Sequence, residues 1–261
     1  MGNLIILDAF NFAFRFKRGS KVFAETYVST VLSFAKSYDA TKVIITADGK
    51  GGSHWRKDIF PEYKANRIKD QSPEEEEEFK QFFNEYLRAL DLCEKKFHVI
   101  RIEGVEADDV ASFIVSNGLD FNFQHTWLIS SDKDWLQLVG PNTSYFSFLT
   151  RKEVSYAQWD ELVSIPYQYF LGYKVLNGDK SDNIPGIKGV GEKRAIAILR
   201  PYEGDIYELM AALPIEGSSS YVSSVNAGKD IIERNIKLMD LQGFCAEAVG
   251  KENYTTIERL F

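Results

Sequence analysis

Two carboxylates three residues apart, followed at once by a glycine-punctuated turn, have the plainest chemistry in this chain. In Gly178-Asp179-Lys180-Ser181-Asp182-Asn183-Ile184-Pro185-Gly186-Ile187-Lys188-Gly189-Val190-Gly191, the spacing lets Asp179 and Asp182 share one side of a helix or turn and face one metal ion. Gly186, Gly189 and Gly191 let backbone N–H groups come close to a phosphate, and Lys188, Lys193 and Arg194 add positive charge. The stretch reads as a metal site joined to a grip on a nucleic-acid backbone.

Other carboxylates fall into similar places. Asp8 and Asp48 each end a short apolar run, Glu106, Asp108 and Asp109 open a helical pattern, and Asp132 and Asp134 flank Lys133. Any one of them alone reads as a helix N-cap. Nine packed together would repel and shift one another's pKa values strongly, which divalent cations resolve. All-oxygen ligation selects Mg²⁺ or Mn²⁺ over zinc, and two such ions about 3.5–4 Å apart are the usual device for phosphodiester hydrolysis. No Ser/His/Asp or Cys/His arrangement competes; His54, His98 and His125 read as surface or core residues.

The elements that must position these groups alternate. Residues 4–7, 42–47, 97–102 and 126–129 read as strands, and 24–38, 73–95 and 107–116 as helices. Continuous apolar strands alternating with helices predict an α/β fold, a mostly parallel sheet covered by helices on both faces. Ligands in such sheets bind outside the carboxyl ends of the strands, where Asp8, Asp48 and Asp132 fall. After Ile165 the strand pattern stops: 166–176, 192–199, 205–213 and 226–239 read as helices and 214–224 as a loop. The expected division is 1–160 and 161–261, with the two parts sharing one site. Residues 49–72 stand apart, with Arg56, Lys57, Lys64, Arg67 and Lys69 interleaved with Trp55, Phe60 and Tyr63. That mixture suits single-stranded nucleic acid, with bases stacked on aromatics, and equally a solvated loop.

Composition is that of an ordinary globular protein, 44% hydrophobic and 26% charged. No run reaches the ~18 apolar residues of a membrane span, and residues 3–8 read as a strand and not as a signal peptide. Cys93 and Cys245 form no disulfide framework, so a reducing cytoplasm is expected. The net charge of −7 does not exclude a nucleic-acid partner, because the five glutamates Glu74 to Glu78 supply much of it. That run reads as a solvated helix face or N-terminal turn.

Taken together, these pieces resemble the 5′-nuclease superfamily of flap endonucleases and 5′–3′ exonucleases, bacteriophage-encoded members above all. The resemblance runs from Leu4 to about Leu241. It is carried by Ile6-Leu7-Asp8, Ala47-Asp48-Gly49, Pro61-Glu62-Tyr63-Lys64-Ala65-Asn66-Arg67, Gly104-Val105-Glu106-Ala107-Asp108-Asp109, Ser131-Asp132-Lys133-Asp134 and the stretch at 178–191. It implies a PIN-like 5′-nuclease core with a helical arch at about 50–96, and a helix–three-turn–helix DNA-binding element at about 170–200. Asp8, Asp48, Glu106, Asp108 and Asp109 match the first metal cluster, and Asp132, Asp134, Asp179 and Asp182 the second. Tyr63, Lys64 and Arg67 match the base of the arch and are the implied catalytic group. Arg15, Lys17, Arg56 and Lys69, with Gly186, Lys188, Gly189, Gly191, Lys193 and Arg194, are the implied DNA contacts. A potassium ion on the carbonyls of 186–191 is implied as well.

The expected function is therefore structure-selective, Mg²⁺-dependent hydrolysis of DNA, with Mn²⁺ as a substitute. Both 5′-flap endonuclease and 5′–3′ exonuclease action are expected, in replication and in processing of flaps or RNA primers. The substrate would be branched or 5′-ended DNA, and the enzyme a monomer in the cytoplasm of a cell or phage host. Two rival readings are a non-catalytic DNA-binding protein that keeps only the turn at 186–191, and a related PIN-like ribonuclease. The first predicts no cleavage in Mg²⁺; the second predicts that RNA is cut in preference to DNA.

Overall fold

The computed structural model describes residues 2–17, 21–67 and 72–261. Its strands are β1 (Asn3–Asp8), β2 (Ala40–Ala47), β3 (His98–Arg101), β4 (Thr126–Ile129), β5 (Thr143–Ser147), β6 (Lys152–Val154), β7 (Gly178–Asp179) and β8 (Ile184–Pro185). Its helices are α1 (Ala9–Ala13), α2 (Ala24–Ser37), α3 (His54–Ile59), α4 (Pro73–Glu94), α5 (Ala107–Ser116), α6 (Trp159–Leu162), α7 (Phe170–Asn177), α8 (Glu192–Leu199), α9 (Ile206–Ala211), α10 (Ser220–Ala227), α11 (Lys229–Met239), α12 (Leu241–Val249) and α13 (Lys251–Glu258). The chain forms two compact units, one of residues 1–53, 70–157 and 244–261, the other of 54–69 and 158–243.

The first unit is built on a six-stranded sheet in the order β3-β2-β1-β4-β5-β6, parallel except for β6. Leu4 to Leu7 of β1 are all fully buried, as a strand covered on both faces requires. Alternate residues Ile5 and Leu7 join a core with Phe12, Tyr27, Phe34 and Tyr86, supplied by α1, α2 and α4. In α4 Ser72 and Glu75 form a capping box, Pro73 opens the first turn, and Glu74 to Glu78 are exposed. The glutamate run is thus a solvated helix start, as its charge pattern predicts. Farther along α4, Phe82, Tyr86, Ala89, Leu90 and Cys93 are buried.

In the second unit α7 packs against α8, α9 and α11, and the loop at 178–191 that follows it contains the two-residue strands β7 and β8, paired antiparallel. Some expectations need correction. β5 escapes the apolar criterion because Thr-Ser-Tyr-Phe-Ser buries polar side chains, with Ser144 Oγ held by His125 and Ser147 Oγ by Ser131, and β6 escapes it because only Val154 of Lys-Glu-Val is buried. Residues 220–224, read as loop, open α10, since burial of Val222 and Val225 overrides the weak helix propensity of serine. The helix expected over 226–239 is broken at Gly228 into the end of α10 and α11.

Candidate metal and phosphate-binding sites

In the first unit the acidic groups lie at the carboxyl ends of parallel strands. β1 ends in Asp8, Asp48 follows β2, and Asp132 follows β4 two residues after Ser130; β1 is hydrogen-bonded to β2 on one side and to β4 on the other. Asp8 is buried, accepts from Ser130 Oγ at 2.7 Å and caps α1 through Asn11 N–H at 3.2 Å. Burial raises its pKa to about 8; the Ser130 bond opposes this, and the charges of Asp48 and Asp132 add to it. Asp48 Oδ1 accepts the Ala107 N–H at 2.9 Å, tying β2 to the start of α5. Asp108 Oδ1 accepts from the indole of the fully buried Trp135 at 2.5 Å. Asp132 accepts from Asp134 N–H at 2.9 Å, and its own N–H donates to Ser130 Oγ at 3.0 Å. Glu106 is the N-cap residue of α5 and is buried, and Asp109 in its first turn is 0% exposed.

Among the described residues no three acidic, His or Cys side chains are gathered tightly enough to grasp an ion as they stand. The donor chemistry nevertheless fits a hard divalent cation. The groups are all oxygens, and the buried Asp8 carboxyl is pushed up partly by its acidic neighbours, a charge a cation would neutralise.

In the second unit the loop at 178–191 begins where α7 ends. Gly178 has φ +75° and ψ −179°, a conformation open in practice only to glycine, and a Cβ there would lie 2.3 Å from Gly186 N. Asp179 follows it. Its Oδ1 accepts from Ser181 N–H at 2.8 Å and Ser181 Oγ at 2.6 Å, and its Oδ2 from Lys174 Nζ at 3.0 Å. Burial alone would raise the Asp179 pKa, but the Lys174 charge and the Ser181 bonds outweigh it and hold the carboxyl down at about 2. Asp182 Oδ1 meets Arg67 Nη2 at 2.5 Å, and its Oδ2 accepts from Tyr63 Oη at 3.2 Å with Lys64 Nζ 4.0 Å away. Tyr63, Lys64 and Arg67 are therefore grouped on Asp182. Beyond the hairpin, the Gly189 carbonyl accepts Arg194 Nη1 at 2.6 Å, and the Arg194 guanidinium lies 5.3 Å from the Tyr221 ring. Gly191 is the N-cap residue of α8, and Lys188, Lys193 and Arg194 are exposed around it.

Two family profiles cover nearly the whole chain. The 5′–3′ exonuclease N-terminal resolvase-like domain matches residues 3–163, and the 5′–3′ exonuclease C-terminal SAM fold matches 165–255. The chain belongs to the 5′–3′ exonuclease family. It is 38% identical to the flap endonuclease of Escherichia phage T5, over 98% of this chain and 89% of that one. It is 31% identical to the 5′–3′ exonuclease of Mycoplasmopsis pulmonis, over 77% of this chain and 65% of that one. Among solved structures it is similar to bacteriophage T5 flap endonuclease in a pseudo-enzyme-product complex with DNA and metal ions. The TM-score is 0.91 at 38% identity, covering 98% of this chain and 97% of that one. The T5 5′-exonuclease with divalent zinc gives 0.90 at 37%, with the same coverage.

For this exonuclease-family chain, one expected DNA contact is corrected by burial. Arg56 is only 2% exposed; its Nε donates to the Leu238 carbonyl at 3.0 Å and its guanidinium stacks 4.3 Å from the Trp55 ring. Its charge is spent inside the second unit, so it does not face a backbone phosphate. Tyr63 is 3% exposed, which suits a group that orients Asp182 and not one that stacks on a base. Arg15 and Lys17 are exposed after α1, Lys17 lying 5.4 Å from the Phe14 ring and 5.7 Å from that of Phe79. Lys69 lies outside the described residues. Sequence reasoning missed Ser130, which bonds both Asp8 and the Asp132 backbone; its signal was its place at the end of a strand, just ahead of Ser131-Asp132. It also missed Lys174, a lysine on an otherwise apolar helix, which is the usual mark of a buried ion pair.

Proposed function

We propose that this chain is a divalent-metal-dependent 5′ nuclease that hydrolyses DNA phosphodiesters, cutting 5′ flaps and degrading from 5′ ends during replication. The observation that carries this reading is the placement of Asp8, Asp48 and Asp132 at the carboxyl ends of three neighbouring parallel strands in a member of the 5′–3′ exonuclease family. Asp8, Asp48, Glu106, Asp108, Asp109, Asp132, Asp134, Asp179 and Asp182 are the proposed ligands of Mg²⁺, with Mn²⁺ as a substitute. Bound there, such ions would lower the pKa of a water and stabilise charge on the phosphate and the leaving 3′-oxygen.

The chain's own residues do the rest. Ser130 and the Asn11 N–H hold Asp8, and Trp135 holds Asp108, so that the carboxylates stay oriented. Lys64 and Arg67 are the positive groups proposed to meet the scissile phosphate, with Tyr63 fixing the Asp182 carboxylate beside them. Lys188, Lys193 and Arg194, around the N-terminus of α8, are proposed to bind duplex phosphates, with a potassium ion on the carbonyls of 186–191. Such contacts select structure over sequence and weaken with salt. Residues within 50–96 form the proposed arch. The chain is taken to act as a monomer in a reducing cytoplasm, which fits two buried free cysteines.

The test is cleavage of an end-labelled 5′-flap duplex with and without Mg²⁺, with product lengths mapped. Products one nucleotide beyond the junction mark flap cutting, and a ladder from the 5′ end marks exonuclease action. Lys64→Ala should lower single-turnover cleavage about 10²–10³-fold while duplex affinity stays within about threefold. Equal losses in both would sink the role given to Lys64, and an uncut flap in Mg²⁺ would sink the nuclease reading.

A further inference from the structure

The segment that carries Lys64 and Arg67 is joined to the loop that carries Asp182 by two side-chain amides with no role so far. Asn183 Nδ2 donates to the Glu62 carbonyl at 2.8 Å, and Asn66 Nδ2 donates to the Lys180 carbonyl at 2.8 Å. Between them the Lys64 N–H donates to the Asp182 carbonyl at 2.9 Å. Each segment thus lends an amide to the other's main chain, one on each side of a backbone hydrogen bond.

The backbone is bent to make this fit. Lys64 has φ +57° and Asn183 φ +60°. Asparagine tolerates the left-handed region, but a lysine there persists only where its surroundings hold it. Below the clasp, Tyr63 packs with Ile184, Leu238 and Met239, and with Ile59 and Phe60 at the margin. That cluster anchors the start of the segment through Tyr63, while Asn66 and Arg67 are exposed and gain little from burial. Among the described contacts, the amides and the Asp182 ion pairs tie its far end to the loop.

We propose that Asn66 and Asn183 are positioning residues whose reciprocal amides hold residues 62–67 in place before substrate arrives, so that Lys64 and Arg67 meet the phosphate already aimed. This rests on the nuclease reading above for its consequence, but not for its geometry. Both amides lie outside the proposed ligand and phosphate-contact sets, so neither is a catalytic residue. Preorganised charge acts at the chemical step, whereas a disordered segment must first be gathered and fixed.

The test uses the full chain with Asn66→Ala, with Asn183→Gly (glycine keeps the left-handed backbone and removes only the amide) and with both. Three quantities are read: amide hydrogen exchange over 60–67 and 178–184 without metal, affinity for a 5′-flap duplex in EDTA, and single-turnover cleavage in Mg²⁺. One net hydrogen bond corresponds to about a fivefold change in the opening equilibrium, so exchange over 62–67 should rise about fivefold in each single variant and about 30-fold in the double. Cleavage should fall by similar factors while affinity changes less than about threefold. The proposal is overturned if exchange in the double variant matches wild type, or if cleavage stays within twofold of wild type once the segment is loosened. A loss of affinity that accounts for the whole loss of rate also overturns it, since the amides would then be substrate contacts. Should Asn183→Gly fail to fold, the exposed Asn66→Ala carries the same readouts. If wild type leaves the flap uncut, the nuclease reading fails separately, and the exchange measurement still decides whether the clasp holds the segment.

Discussion

Replacing Lys174 by methionine should destabilise the protein by removing its ion pair with Asp179. The Lys174 ammonium sits 3.0 Å from Asp179 Oδ2, and the two side chains are 10% and 20% exposed, so solvent screens the pair only in part. Burial by itself pushes the Asp179 carboxyl up; Lys174 and Ser181 pull it from the ordinary 3.8 down to about 2. That drop is worth about 2 kcal/mol of stability at neutral pH, of which the Lys174 charge is the largest favourable part. The folded pKa is depressed, so this contribution is intact above about pH 4 and is lost as pH falls through about 2. Lys174→Met should therefore cost about 1–2 kcal/mol in urea denaturation at pH 7, measured in EDTA so that no ion replaces the lysine. In an Asp179→Asn background the same substitution should cost less than about 0.5 kcal/mol. A double-mutant cycle in which the two changes simply add, within about 0.3 kcal/mol, would refute the ion-pair account.

Other consequences follow from single contacts. Arg56→Ala should lose about 2–3 kcal/mol of stability, because a buried guanidinium and its bond to the Leu238 carbonyl are removed, yet leave the salt dependence of DNA binding unchanged. A reduced salt slope with unchanged stability would return Arg56 to the DNA-contact set. Gly178→Ala should cost upwards of about 3 kcal/mol by thermal or urea denaturation, since it meets both a forbidden φ and a Cβ 2.3 Å from Gly186 N. A soluble variant of wild-type stability would contradict the hairpin geometry. Lys188→Ala should lower the slope of log affinity against log salt by about one on duplex DNA of any sequence. Sequence-dependent losses would argue against a phosphate contact.

Local pattern determined most of the α/β frame and singled out the acidic residues proposed as metal ligands. The runs at Leu4–Leu7 and Thr126–Ile129 are readable as buried strands because apolar residues on both faces have no other low-energy place. The Ser72 cap and the glutamate run state the start of α4 in the same way, through local hydrogen bonds and the helix dipole. β5 was not readable, since its serines and threonine are buried by partners distant in sequence. Arg56 shows the same limit from the other side. Its neighbours make it look like a nucleic-acid contact, and only the return of Leu238 at the end of α11 turns it inward. Asp179 and Asp182 could be chosen from sequence as a carboxylate pair, because three-residue spacing is a local property. That Lys174 holds one while Lys64 and Arg67 close on the other was decided by tertiary structure, through a left-handed lysine and two amides whose partners lie more than a hundred residues away.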